Sequence, residues 1–245
     1  MTTRTAVLVA FLLTAPAAIQ AQVGGNGYLF GRPRATFTLR GGFASPTASS
    51  DVFSFSAKQL TVAKGDFGSA AVGADLGFRV SDRLDLQFSA ASMGRNVNSE
   101  FRDWVDDDDR PIEQRTSFRR APVTAGLKYF LTSPGRSLGR LAWVPSKFTP
   151  YVAGGGGAMW YSFRQSGDFV DFKTLKVFSS NLSSSSWAPM AYGAGGIDYS
   201  LSPHLSLTTE GRYDYARATM NNSFEGFNRI DLSGLSANVG LTVRF

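Results

Sequence analysis

The chain has 245 residues, 43% of them hydrophobic and 18% charged, with a formal net charge of +6, no cysteine and a single histidine. This content is too apolar and aromatic for a disordered chain, and the missing thiols exclude disulfide frameworks, Cys-based zinc sites and thiol nucleophiles. No stretch of the mature chain reaches the ~18 apolar residues of a transmembrane helix, and a chain of this length suits a single large all-β barrel.

Residues 1–21 have the pattern of a secretory signal peptide: a short charged start, a ten-residue apolar run (AVLVAFLLTA, residues 6–15) and small residues before Gln22. Cleavage is expected after Ala21. Residues 22–33, with GGNGYLFG, read as a flexible leader, and the fold is expected over 34–245.

From residue 34 onward apolar residues recur with a period of two, which marks strands with two unlike faces. The segments are 34–44, 70–80, 84–90, 118–131, 148–163, 187–201, 205–215 and 235–245. The last is the clearest, with Leu235, Ala237, Val239, Leu241, Val243 and Phe245 against Ser236, Asn238, Gly240, Thr242 and Arg244. In 148–163 the run Gly154 to Gly157 leaves the register open. Eight strands result; residues 52–62 read as an extra hairpin arm would make ten. Tight turns at 80–84 and 201–205 alternate with long polar links at 46–66, 97–116, 166–186 and 219–232. The link 132–147 falls on the short-turn side, yet it is as long as a surface loop and suggests no function.

The face opposite the apolar one carries Arg40, Arg79, Arg120, Lys128, Arg212 and Arg244 with Asp75, Asp85, Asp198, Glu210 and Asp214. The interior of an eight-stranded barrel is only wide enough for side chains to fill it. These charges are therefore expected to pair as a lumen network, because an uncompensated buried charge is costly. Glycine-rich stretches near 154–157 and 193–196 would make room for Tyr151, Tyr161 or Tyr192 inside. Phe78, Tyr129, Phe148, Tyr199 and Phe245 gather toward the short-turn ends, and Trp160, Trp187, Tyr213 and Tyr215 toward the long-link ends, as interfacial girdles do.

The closing LSANVGLTVRF (235–245), the run LSPHLSLTTEGRYDY (201–215) and TPYVAGGGGAMWYSF (149–163) resemble the small eight-stranded bacterial outer-membrane barrels of the OmpA, OmpX and OmpW type. The resemblance implies an all-β, antiparallel up-and-down transmembrane barrel in the outer membrane, with short periplasmic turns and long extracellular loops. It also implies that the terminal Phe245 is read by the barrel-assembly machinery, and that outer-membrane lipid and lipopolysaccharide are partners. The chain departs from OmpA itself in stopping at the barrel.

Catalysis finds little support. His204 follows Pro203 in a tight turn, and neither a Gly-x-Ser-x-Gly elbow nor a His-Glu-x-x-His motif occurs. No cofactor is implied. Asp106, Asp107, Asp108 and Asp109 form an acidic tip that departs from calcium-loop spacing. It reads first as a solvated loop, with weak divalent-cation binding or pairing to nearby arginines as alternatives. The basic residues form no aromatic-interleaved stripe, so nucleic acid is not expected. Arg95, Arg115, Arg119, Arg164 and Arg217 lie near the outer rim, where guanidinium groups match lipid phosphates.

The sequence thus points to a monomeric outer-membrane barrel with a structural or surface-interaction role. Two further readings stay open: a narrow channel or conduit for small or hydrophobic solutes, and a soluble exported barrel that binds a ligand.

Overall fold

The computed structural model describes residues 28–105, 109–139, 141–171, 174 and 176–245; the expected signal segment lies outside them. Eight strands form the wall: β1 Ala35–Pro46, β2 Ser69–Arg79, β3 Leu84–Val105, β4 Pro111–Phe130, β5 Phe148–Val170, β6 Val177–Ser200, β7 Leu205–Ala218 and β8 Gly234–Arg244. Each pairs antiparallel with its chain neighbours, and β8 returns to β1 with Leu241 opposite Leu39. The ring is closed, so every strand has a partner on both sides.

Parity along the strands decides what faces where. On β8, Leu235, Ala237, Val239 and Leu241 are exposed while Asn238, Gly240, Thr242 and Arg244 are buried. On β7, Tyr213 and Tyr215 face out, and Glu210, Arg212 and Asp214 face in. The glycine-rich β5 settles with Thr149, Tyr151, Met159, Tyr161 and Phe163 inside. The result inverts a soluble fold: large apolar residues such as Val72, Leu39 and Val239 are more than half exposed, and Asp75, Asp85 and Arg212 are at most 6% exposed. A one-residue slip on β7 would turn Tyr213 and Tyr215 inward and expel Arg212 and Asp214.

Two expected links are strand instead. β3, β4, β5 and β6 run 22, 20, 23 and 24 residues, against 11–14 for the other four. The stretches 97–105 with 111–116, and 166–170 with 177–186, including the serine-rich 181–186, therefore extend the wall as two projecting hairpins. Their residues alternate without apolar contrast, but a ladder already in register continues at little extra entropic cost while Thr, Val and Phe supply strand preference.

The link 46–66 also has its own structure. Asp51–Gln59 form helix α1, followed by a 3-10 turn at Lys64–Phe67; residues 52–62 are thus no hairpin arm. Asp51 in the first turn and Lys58 in the last suit the helix dipole. Val52, Phe53 and Ser56 face inward with Leu60 just beyond, at helical rather than strand spacing.

At the opposite end, residues 132–147 fold into a hairpin of Gly135–Leu138 and Ala142–Pro145. The strand Leu29–Phe30 adds to it, Leu29 facing Trp143, so this part of the expected flexible leader is paired. Ile230–Asp231 pair with Ala218 and Arg217 at the end of β7.

Candidate functional site

The interior is a column of side chains rising from the short-turn end. At its base Trp143, 2% exposed, lies across the opening with Arg244 5.9 Å from its ring. Gly135 lets it lie there, since a Cβ at that position would sit 2.3 Å from the indole. The long connection for which the sequence suggested no role is what carries this cover.

Above Trp143, Arg79 contacts Asp85 at 2.6 Å, and the Lys128 Nζ donates to Asp198 at 2.8 Å. The ammonium of Lys128 also stands 3.7 Å from the Tyr151 ring centre. Asp198 accepts from Thr208, which joins Thr242 and Thr38 in a chain of hydroxyls at 2.7–2.8 Å. In the next layer Arg40 meets Asp75 at 3.0 Å and Glu210 at 3.6 Å, and the Tyr151 hydroxyl donates to Glu210 at 3.1 Å. Higher still, Arg212 donates to Asp214 at 2.8 Å and lies by Tyr192, its guanidinium carbon 3.7 Å from the ring centre. Gly196 and Gly126 leave the space that Tyr151 and Tyr192 fill, their would-be Cβ atoms falling 2.4–2.6 Å from the two phenols.

Two cations follow a different rule. Among the described residues Arg120 has no carboxylate within ion-pair distance; its guanidinium donates to the carbonyls of Leu232 and Ser233 at 2.8 and 3.3 Å and lies by Phe118. Arg244 donates to Ser200 at 3.0 Å and likewise has no carboxylate partner among them. So four cations, Arg40, Arg79, Lys128 and Arg212, share the five carboxylates, and a carbonyl cradle and a hydroxyl hold the other two.

The upper end is apolar. Phe53 on α1 is fully buried, meeting Phe67, Phe118 and Phe163 edge-on at 5.2, 5.2 and 5.6 Å. Val52, Leu60, Ile112, Met159, Ile230 and Leu232 complete the cluster. Gln165 on β5 donates to the Ser56 hydroxyl at 3.2 Å and ties the helix to the wall. Sequence reasoning missed both this plug and Asp231, a buried carboxylate that accepts from the Ser49 N–H and hydroxyl at 3.1 and 2.6 Å and from the Ser233 N–H at 3.0 Å. Burial pushes the Asp231 carboxyl up, but the hydrogen bonds from Ser49 and Ser233 outweigh it and hold the group below the ordinary carboxylate range. Asp231 falls in a stretch where neighbouring residues are all buried, so alternation carries no sign of it.

Three voids along the column measure about 10, 10 and 20 Å³, room for about one water each. Below the plug the interior is polar and paired; among the described residues it offers no pre-formed apolar ligand pocket.

At the rim, Arg115 and Arg119 on β4 and Arg164 on β5 point outward. Arg217 points outward on β7 beside the Tyr215 ring. Arg95 instead shares the parity of the buried Met93 and Ser99, and it donates to the Gly68 carbonyl at 3.1 Å. Asp106, Asp107 and Asp108 lie outside the described residues; Asp109 has a φ of 58° at the tip of the β3–β4 hairpin. Among the described residues no group of three or more His, Asp or Glu is placed to hold a metal. His204 sits in the β6–β7 turn, where its carbonyl accepts from the Arg244 N–H. Phe245 faces outward, its N–H bonded to the Ala35 carbonyl.

No protein-family profile and no curated protein matches the chain. Among solved structures it is similar to small outer-membrane β-barrels. These include OprG from Pseudomonas aeruginosa (18% identity, 89% of this chain and 99% of that one, TM-score 0.46) and Ail from Yersinia pestis (13%, 86% and 99%, 0.44). The Escherichia coli outer membrane protein W is a third, at 16% identity, 87% and 99% coverage and a TM-score of 0.41.

Proposed function

We propose that this chain is a non-conducting outer-membrane barrel whose role is structural and surface-presenting, exported by a signal peptide at residues 1–21. The membrane assignment rests on the exterior. Between the girdles, the outward positions of all eight strands carry no charged residue, and an Arg or Lys at mid-bilayer would cost ~2–4 kcal/mol. Closure satisfies the backbone in a medium without water. Trp160 and Trp187 face each other across β5 and β6 at the upper edge of the apolar belt, with Phe148 and Tyr199 paired at the lower edge.

The absence of conduction rests on one observation: the lumen is filled along its length. Trp143 covers the periplasmic end, ion pairs bridge the middle, and α1 seals the extracellular end. What the protein presents outside is its two projecting hairpins. The mature chain, refolded into a planar bilayer and shown to be folded by heat-dependent gel mobility, is expected to stay electrically silent. Discrete, reproducible conductance steps would overturn this reading in favour of a solute conduit.

A further inference from the structure

The lowest layer of the lumen carries one more positive charge than negative. Arg79, Lys128 and Arg244 line a void of about 20 Å³ together with two carboxylates, Asp85 and Asp198. Both acids are engaged. Asp85 contacts Arg79 at 2.6 Å, and the two oxygens of Asp198 accept from the Lys128 ammonium and the Thr208 hydroxyl, each at 2.8 Å. Arg244 is the cation left over. It is 6% exposed, and its Nη2 donates to the Ser200 hydroxyl at 3.0 Å. Its Nη1 is buried and has no hydrogen-bond partner among the described residues. The Thr149 hydroxyl, on the wall of the same void and 1% exposed, is likewise unpartnered among them.

The reliefs open to other buried cations are closed to Arg244. A guanidinium keeps its proton inside proteins, so the charge is not shed. The other arginine without an acid, Arg120, gives its Nη1 to the carbonyls of Leu232 and Ser233, whereas among the described residues only the Ser200 hydroxyl accepts from the Arg244 guanidinium. In the layer above, Arg40 takes Asp75 at 3.0 Å, and Glu210 is the acid in excess. Glu210 stands opposite Asn238 on β8, six residues from Arg244, about 20 Å along the strand. An uncompensated buried charge is costly, and breaking or omitting its partner leaves that cost in place.

A water in the void would supply hydrogen bonds but leave the surplus charge. One small anion meets both needs: it accepts from Nη1 and from the Thr149 hydroxyl, and it balances three cations against two carboxylates. The void, bounded below by Trp143, has room for about one water. That excludes phosphate, sulfate and carboxylates, and it suits a monatomic halide, which is only slightly larger than water.

We propose that Arg244 and Thr149 hold a single buried halide ion, chloride in ordinary media, at the base of the lumen. Held beneath the ion-paired layers, the ion is structural and is not conducted. The inference goes beyond the structural role argued above and does not depend on where the barrel resides.

The mature chain, refolded and crystallised with bromide in place of chloride, tests the site by anomalous scattering at the bromine edge. One bromide peak is expected in contact with the Arg244 guanidinium and the Thr149 hydroxyl; density there without anomalous signal would overturn the proposal and make this a water site. In solution, the folded-to-unfolded ratio from the urea dependence of the heat-modifiable band is compared in chloride and in equal gluconate, an anion too large for the void. Above saturation, each tenfold rise in chloride should raise the wild-type ratio about tenfold beyond the gluconate value. R244Q loses the difference, T149V needs more chloride to reach it, and K147Q, exposed at the same end, keeps it. Chloride and gluconate acting alike on the wild type, or an undiminished difference in R244Q, would overturn the site, a bromide peak then marking an adventitious ion only. Should R244Q not fold, T149V and the scattering decide. A mature chain that folds and stays soluble without detergent would remove the membrane reading and leave this site standing.

Discussion

Replacing Phe53 with Ala tests whether α1 is a docked plug or an integral part of the barrel. The ring is fully buried and meets three other phenylalanines edge-on, two of which, Phe118 and Phe163, stand on the wall and remain when it is removed. Truncating such a ring costs about 3–5 kcal/mol. The wall is held by its own closed ladder, so this loss falls on docking of 47–68 rather than on the barrel. At 1.4 kcal/mol per decade, the open-to-docked ratio rises by a factor of about 10² to 10⁴. Lys58 and Lys64 lie in that segment, and their cleavage by trypsin reports the open population when reclosing outpaces the protease. The variant in liposomes is expected to be cut there at least about a hundredfold faster than the wild type, with unchanged heat-dependent mobility. It should remain electrically silent, because the ion-paired layers beneath are untouched. Equal trypsin resistance would refute the docking argument, and loss of the folded band would show that barrel and plug form one cooperative unit.

The other tests probe the remaining contacts. Asp198→Asn leaves Lys128 with no carboxylate at ion-pair distance in a buried layer, a change that costs about 3–5 kcal/mol, whereas the K128M/D198N pair should be far milder; the urea midpoint of the folded band measures both, and a double variant no better than the single would count against the pairing. Trp143→Ala removes a buried indole at a cost of about 3–5 kcal/mol and is expected to speed hydrogen exchange in 135–145 while the upper lumen stays protected. Asp231 titrates below the ordinary carboxylate value in the folded state, so it stabilises the contact between 47–50 and 230–233 above the unfolded value of ~3.9 and loses that contribution as pH falls through the folded one. Hydrogen exchange at 47–50 should accordingly rise at acid pH in the wild type, and Asp231→Asn should abolish that dependence.

Sequence parity carries far in the wall and hardly at all in what fills its ends. Leu235 to Phe245 alternates so sharply that its inward set is legible from parity alone, and the same parity on β7 puts Glu210, Arg212 and Asp214 in one row. Alternation also places charges on a common face. Only the ladder, however, shows that Lys128 reaches Asp198, 70 positions away, and that Arg120 finds carbonyls from the 219–233 link instead of an acid. The helix escapes because Val52, Phe53, Phe55, Ala57 and Leu60 fit a period of two nearly as well as one of 3.6 over so short a run. The projecting hairpins escape because their buried face mixes Ser99, Gln114, Thr116 and Ser184 with Phe101 and Ile112, so polarity does not separate it from the wet face.

The same loss of contrast bears on the outer surface. Below the Trp160–Trp187 pair, each outward position must be apolar and each inward one must be small, paired or hydrogen-bonded, so little freedom is left. Above it the outward positions are released from lipid, and the residues there become serine, asparagine, arginine and acid, with Glu100 opposite Glu113 one outward position beyond Arg115. Opposite charges do share a diagonal there, Glu100 on β3 with Arg115 on β4, but an exposed pair of that kind contributes only ~0.2–1 kcal/mol. In the lumen the chain brings Lys128 to Asp198 and Arg79 to Asp85; around Arg164 it sets only hydroxyls and like charge. Unlike the lumen, where pairing is a condition of burial, the rim leaves Arg119 and Arg164 without an acid at ion-pair distance among the described residues, because water there screens a lone charge at little cost.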